Sequence, residues 1–231
     1  MIYSATQFTV DSNGAYLVSL TDAKGVPILF ERAELDGKRR GGSHVCLPYF
    51  GPDAVGELPQ HGFGRDVTWQ VEVSEDRRTA TCSYVHTEAG LFYGLEATLV
   101  YELASDGRSL MTKLRVRNGG EAPFSLSPGF HPYFVVQPDA LMLNGEAVDY
   151  VAYEPFRELP GQGVMMLETG MHTVTVESKT MPYMIVWSDA RGEYLCVEPT
   201  AAGNVFDASR SDATPLLPGE SRQYSYCISW A

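Results

Sequence analysis

The stretch beginning at Ser109, SLMTKLRVRNG, alternates without a break: Leu110, Thr112, Leu114 and Val116 share one face, and Met111, Lys113, Arg115 and Arg117 the other. An extended strand, whose successive side chains point to opposite sides, turns that pattern into one buried and one solvated surface. The segment before it, LFYGLEATLVYELASDGRS, is rich in β-forming residues and ends in Ser105-Asp106-Gly107, residue types that relieve positive-φ strain in a tight turn. The two make an antiparallel hairpin.

The same kind of segment recurs in DVTWQVEVS, TATCSYVHT, HTVTVES, YMIVWS, EYLCVEP and RQYSYCISW, all short, rich in β-branched and aromatic residues, and bounded by Gly, Pro, Asp or Ser. No window offers a helix of three turns, and one helical turn is expected near Ala33 to Lys38. With 22 glycines and 14 prolines breaking strands at roughly ten-residue spacing, the chain reads as all-β, a large antiparallel β-sandwich. No linker, low-complexity stretch or clean repeat divides it, so residues 1-231 are expected to form a single domain. A chain of 231 residues buries roughly 70% of its unfolded surface, enough for one sizeable core.

The formal net charge of −12 argues against nucleic acid or anionic lipid as a partner, since both are bound through an excess of Lys and Arg. The N-terminus lacks a basic segment followed by an apolar one, and no run approaches the length of a membrane span. A cytoplasmic protein is expected. Cys46, Cys82, Cys196 and Cys227 are far apart and form no C-x-x-C pair, so they are read as reduced and mostly buried.

Polar residues interrupt the alternation in RRGGSHVCLPYFGP (39 to 52), LPQHGFGRDVTW (58 to 69) and SPGFHPYF (127 to 134), all Gly/Pro-rich and aromatic. In YLCVEPT (194 to 200), Glu198 stands directly before Pro199, which cannot continue a central ladder, so the carboxylate is expected where the strand leaves the sheet. His86 and His172 read as solvent-facing or hydrogen-bonded filler. His44 is ambiguous, and His61 and His131 taken singly are as consistent with structure as with chemistry. A buried Glu198 could equally be a paired structural carboxylate.

Taken together, Arg40-Gly41-Gly42, Pro48-Tyr49-Phe50-Gly51, Pro59-Gln60-His61-Gly62-Phe63-Gly64-Arg65, His131-Pro132-Tyr133-Phe134 and Cys196-Val197-Glu198-Pro199 resemble, in that order, the aldose 1-epimerase (galactose mutarotase-like) family. Leu216 to Ser221, LLPGES, is similar to the family's late turn, and the likeness is strongest to the branch that includes hexose-6-phosphate 1-epimerases. The resemblance implies a galactose mutarotase-like supersandwich that interconverts the α and β anomers of a hexose or hexose 6-phosphate. It implies no cofactor and no metal, Glu198 as an ionised base toward the C1 hydroxyl, His131 as the acid at the ring oxygen, and His61 in support. Arg40, Gln60, Arg65 and Tyr133 fall at its substrate-contacting positions. The family's further acidic contact has three candidates here, Asp139, Asp149 and Asp189. Trp187 could stack on a sugar face or fill core, with core favoured.

Two other readings stay open. A non-catalytic carbohydrate-binding sandwich would need the aromatics and arginines but no acid–base pair. A cupin-like metal enzyme would use His61, His131 and Glu198 as ligands, although no H-x-H pair occurs on any strand. The oligomeric state is not readable from the sequence.

Overall fold

The computed structural model describes residues 1–52, 58–153, 156–159, 163–202 and 214–231. In chain order its strands begin with β1 (Ile2–Ser4), β2 (Phe8–Asp11), β3 (Tyr16–Leu20), β4 (Ala33–Leu35), β5 (Lys38–Arg40), β6 (Ser43–Cys46) and β7 (Gln70–Val73). There follow β8 (Thr79–Val85), β9 (Leu95–Leu103), β10 (Ser109–Asn118), β11 (Phe124–Leu126), β12 (Gly129–Val135), β13 (Met142–Leu143) and β14 (Glu146–Ala147). The last seven are β15 (Arg157–Leu159), β16 (Val164–Glu168), β17 (Thr173–Glu177), β18 (Tyr183–Trp187), β19 (Tyr194–Thr200), β20 (Thr214–Leu216) and β21 (Ser221–Trp230). Helix is confined, among the described residues, to single 3-10 turns at Pro138–Ala140 and Tyr150–Tyr153.

Two large sheets carry the fold, an eight-stranded one ordered β1-β2-β3-β6-β12-β19-β18-β15 and a nine-stranded one ordered β14-β13-β16-β17-β21-β10-β9-β8-β7. The hairpin expected from SLMTKLRVRNG is β9 paired with β10, and Leu110, Thr112, Leu114 and Val116 are its buried face. Between the sheets lies one large apolar core. Phe8 stands 6.4 Å from Tyr101 and Phe130 4.8 Å from Tyr226, each pair joining one sheet to the other. The buried phenols are satisfied: Tyr101 donates to the carbonyl of Ala15, and the hydroxyl of Tyr226 lies 3.3 Å from that of Ser43.

Where a helical turn was expected, Ala33–Leu35 and Lys38–Arg40 form a small hairpin instead. Asp36 and Gly37 join them at φ 49° and 70°. Two successive positive-φ residues of this type set up a two-residue hairpin turn, and that local preference overrides the helix.

The middle of the eight-stranded sheet is buried on both sides. On β6, β12, β18 and β19, Val45, Phe130, Phe134, Met184, Val186, Leu195 and Val197 point into the main core. The intervening residues His44, Cys46, His131, Tyr133, Ile185, Trp187, Cys196 and Glu198 therefore share the opposite face, because side chains alternate along a strand. His131 lies within β12, and, contrary to expectation, Pro199 does not end its strand: β19 continues to Thr200, with Pro199 opposite Met184. Pairing of β12 with β19 runs at Gly129↔Thr200 and resumes at Tyr133↔Cys196 with the same offset. In between stand Pro132 and Pro199, neither of which has an N–H to offer, so the ladder is interrupted where its neighbours tolerate the loss.

Candidate active site

Register assembles the site. The offset of β12 against β19 sets His131 across from Glu198, β6 pairs His44 with His131, and β18 pairs Ile185 with Glu198. One row thus reads His44, His131, Glu198, Ile185 over four neighbouring strands. Along the next row Tyr133 is opposite Cys196 and Cys196 opposite Trp187.

Above these rows lies a cavity of about 720 Å³, within the range typical of small-molecule sites. All seven residues selected from sequence line it: Arg40, Gln60, His61, Arg65, His131, Tyr133 and Glu198. The sequence left His44 unassigned and favoured core for Trp187, yet both line the cavity, as do Tyr16, Phe156 and Ile185. Of the three candidate aspartates, Asp139 and Asp149 are exposed, whereas Asp189 is hydrogen-bonded to Arg40. His86 and His172 lie apart from this group, His86 bonded to the hydroxyl of Tyr84 at 2.8 Å and His172 3.4 Å from Asp22.

His61 reaches the cavity from a loop held tightly against β6. Its own φ is 71°, and Gly62 follows at φ 64°. A Cβ on Gly62 would collide with the carbonyl of Leu47, so only glycine allows the loop to pass this close. The backbone N–H of His61 donates to Phe50, and that of Gly64 to Leu47. On the ring, Nε2 lies 3.4 Å from the amide nitrogen of Gln60 and Nδ1 3.5 Å from the sulfur of Cys46. One ring nitrogen thus faces an amide and the other a thiol, which together hold the plane of the ring.

Nε2 of His131 and Oε1 of Glu198 face each other at 3.4 Å, their side chains 7% and 2% exposed. His131 packs against a near-parallel Tyr133 ring at 4.7 Å, with His44 at 4.9 Å and His61 at 5.2 Å. Nδ1 of His131 and Oε1 of Glu198 are buried without a hydrogen-bond partner. Such groups cost stability unless something meets them, so the pair is built to receive polar atoms.

Burial governs the electrostatics. Desolvation holds Glu198 well above the usual carboxylate range. It pushes His131 well below the usual imidazole range, and the nearby His44, His61, Arg65 and Arg40 act in the same direction. His44 is lowered in the same way, and His61 to about 3, with Arg65 adding to burial. The sequence implied a Glu198 that starts ionised. The enclosed site instead favours a neutral carboxyl beside a neutral imidazole, because neither charge has water around it.

At the rim, Arg40 donates through Nε and Nη2 to Oδ2 of Asp189 at 2.9 and 2.6 Å, and its guanidinium lies 5.3 Å from the Trp187 ring centre. Asp189 also accepts from the hydroxyl of Tyr194 and pairs with Arg191 at 3.1 Å. Burial opposes its charge, but the bonds from Arg40 and Tyr194 outweigh that and hold its carboxyl below the ordinary value. Arg65, by contrast, donates to the carbonyl of Gln60 at 3.1 Å and lies 3.6 Å from the exposed Asp66. With Lys38 and Arg39, it gives the cavity mouth a positive edge in an otherwise acidic chain.

The four cysteines are free thiols, Cys46, Cys82 and Cys196 buried and Cys227 half-buried. The metal-ligand set considered from sequence, His61 with His131 and Glu198, is not the one that forms. Donor atoms of His131, Cys196 and Glu198 lie within 4.8 Å of one another, and His61 is outside that group.

The profile of the aldose 1-epimerase family matches residues 5–162, more than half of the chain. The chain belongs to that family. A curated Cenchrus ciliaris protein provisionally named as a glucose-6-phosphate 1-epimerase is 27% identical over 211 residues. That match covers 70% of this chain and 64% of the other, so this chain spans less than two thirds of that relative. Solved structures share the galactose mutarotase-like fold. A Synechocystis sp. PCC 6803 protein superposes with a TM-score of 0.81 at 21% identity, over 100% of this chain and 96% of its own. A galactose mutarotase related enzyme of Lactobacillus acidophilus gives 0.80 at 17%, over 100% and 97%. A galactose mutarotase-like protein of Lactobacillus casei gives 0.79 at 18%, over 100% and 99%. Among the described residues no helix is long and apolar enough to cross a membrane.

Proposed function

We propose that this aldose 1-epimerase family member interconverts the α and β anomers of a hexose or hexose 6-phosphate by acid–base ring opening, with Glu198 as base and His131 as acid. The observation that carries this reading is the buried pair itself, two proton-transfer groups 3.4 Å apart on the floor of one cavity, with unpartnered polar atoms. Glu198 takes the proton of the C1 hydroxyl while His131 gives one to the ring oxygen. The C1–O5 bond breaks, the electron pair on O1 forms the aldehyde, and rotation about C1–C2 presents the other face. Ring closure reverses both transfers and returns each group to its starting state.

The neutral pair favoured by burial and the ion pair that starts this cycle contain the same protons. They differ only by one proton moved from carboxyl to imidazole. A sugar whose C1 hydroxyl donates to Glu198, and whose ring oxygen accepts from His131, stabilises the ion pair at the moment it is needed. Each positioned transfer contributes typically ~10²–10⁴-fold, so the pair supplies a large acceleration without a cofactor. His61, fixed by Gln60 and Cys46, lines the same cavity and supports a sugar oxygen. Tyr133 and Trp187 offer aromatic surface for an apolar sugar face.

For a phosphorylated sugar, Arg65 is the better cation. Arg40 is already forked onto Asp189, while Arg65 sits at the mouth with a distant ion-pair partner. The test is anomer exchange by magnetisation-transfer NMR with glucose, galactose and glucose 6-phosphate, using the parent, Glu198→Gln and His131→Ala. Acceleration lost in both variants supports the assignment. Binding of a sugar with no acceleration by the folded parent would transfer the reading to a carbohydrate-binding protein.

A further inference from the structure

We propose that the floor of the cavity is also a site for a thiophilic divalent cation of the Zn²⁺, Co²⁺ and Cd²⁺ class, held by His131, Cys196 and Glu198 in competition with the sugar. The donors arise from strand geometry. Cys196 and Glu198 are two apart on β19 and so share a face, and His131 stands across from Glu198 on the neighbouring strand. An i, i+2 pair on one strand plus one residue across the ladder brings three donor atoms within 4.8 Å of one another. The sequence search for H-x-H misses it because the pair here is C-x-E.

One of the three donor pairs already stands at the spacing such an ion needs. At bond lengths of about 2.0–2.3 Å, tetrahedral N, O and S ligands lie about 3.3–3.5 Å apart. The His131–Glu198 separation is 3.4 Å, and all three donors fall within 4.8 Å. Rotation about the Cα–Cβ bond of Cys196 is the adjustment the remaining gap asks for. A second observation points to a ligand independently: Oε1 of Glu198, the atom that faces Nε2 of His131, is buried without a hydrogen-bond partner.

Charge balances as well. Uptake of the ion displaces the thiol proton of Cys196 and the carboxyl proton of Glu198, leaving M²⁺ with one thiolate and one carboxylate, net neutral with the imidazole. Thiolate with imidazole selects Zn²⁺, Co²⁺ and Cd²⁺ over Mg²⁺ and Ca²⁺, which prefer oxygen cages. His131 and Glu198 line the cavity while Cys196 is buried beside them, so an ion held by the three would meet the sugar at the two groups they share. The consequence for turnover rests on His131 and Glu198 being the epimerase pair; occupancy by the cation does not.

The experiment is titration of chelator-treated protein with Cd²⁺ and Co²⁺, followed by the thiolate-to-metal charge-transfer band, in the parent, Cys196→Ser, Cys46→Ser and Glu198→Gln. A band at one ion per chain, lost in Cys196→Ser, kept in Cys46→Ser, and at least 10-fold weaker in apparent affinity in Glu198→Gln, is expected. Cys46 is the needed control because its sulfur lies near His44 and His61. Absence of a band in the parent, or its survival in a folded Cys196→Ser, overturns the site. In anomer exchange, Zn²⁺ should raise KM and leave kcat unchanged; a loss of kcat that excess sugar does not relieve overturns the competition. A protein that shows the band but no epimerase activity at all keeps the cation site and refutes the acid–base reading alone.

Discussion

Acidification should expose the cost of burying neutral imidazoles, and His61 gives the number. Burial, with Arg65 adding to it, lowers this ring to about 3, against about 6.5 in the unfolded chain. Because the folded value is the lower one, the unfolded state takes up the proton first, and stability falls as pH drops from about 6.5 toward the folded value. Each pH unit in that window is worth about 1.4 kcal/mol, so by about pH 5 His61 alone removes about 2 kcal/mol. His44 and His131, lowered by the same desolvation, act in the same direction. Glu198 opposes them, since its folded value is raised and its contribution is lost as pH rises. His61→Asn isolates one imidazole: asparagine tolerates the left-handed backbone at φ 71° and does not titrate. Urea denaturation of both proteins at about pH 7.5 and about pH 5 should show the parent losing about 2 kcal/mol more than the variant. In thermal scans that difference is about 4–8 °C for a chain of this size. Parallel losses would mean that His61 accepts its proton in the folded state, and the account of a dry, desolvated site would be wrong.

Glu198→Gln should lower anomer exchange by about 10²-fold or more while leaving Tm little changed, because the amide keeps the size of the neutral carboxyl that burial favours and cannot take a proton from the sugar; NMR exchange and a thermal melt read the two effects. Asp189→Asn breaks a mostly buried pair by one partner and should cost about 2–4 kcal/mol in denaturant stability. It should also raise KM more than it lowers kcat, since Arg40 loses its anchor. Arg65→Gln should raise KM for glucose 6-phosphate about 10-fold or more with little change for glucose, the loss expected of a charge-assisted phosphate contact. Equal effects on both sugars would place Arg65 on hydroxyls instead.

The β9–β10 hairpin was legible because the solvated face of that sheet forces polar residues onto alternate positions, as at Lys113 and Arg115. The strands that carry the site give no such signal. In YMIVW and YLCVEPT both faces are buried, so Ile185, Trp187 and Cys196 read as apolar filler although they face away from the main core. Motif order located His61, His131 and Glu198, but only register shows that His44 stands opposite His131. The position of Pro199 misled for a physical reason: proline was expected to end a ladder, and here the ladder lapses locally around Pro132 and Pro199 and then resumes. Likewise, ionisation of Glu198 was read from its free-solution value, and enclosure on every side is a tertiary fact that no local pattern contains.

The row His44, His131, Glu198, Ile185 ties chemical competence to correct folding. Slippage of β12 by one residue against β19 would not merely lengthen a proton-transfer distance. It would turn His131 into the main core and Phe130 and Pro132 into the cavity, a state no stable sandwich could hold. A chain in which these strands have settled has therefore already set its acid against its base, and preparations should contain competent or unfolded molecules with few well-folded duds between.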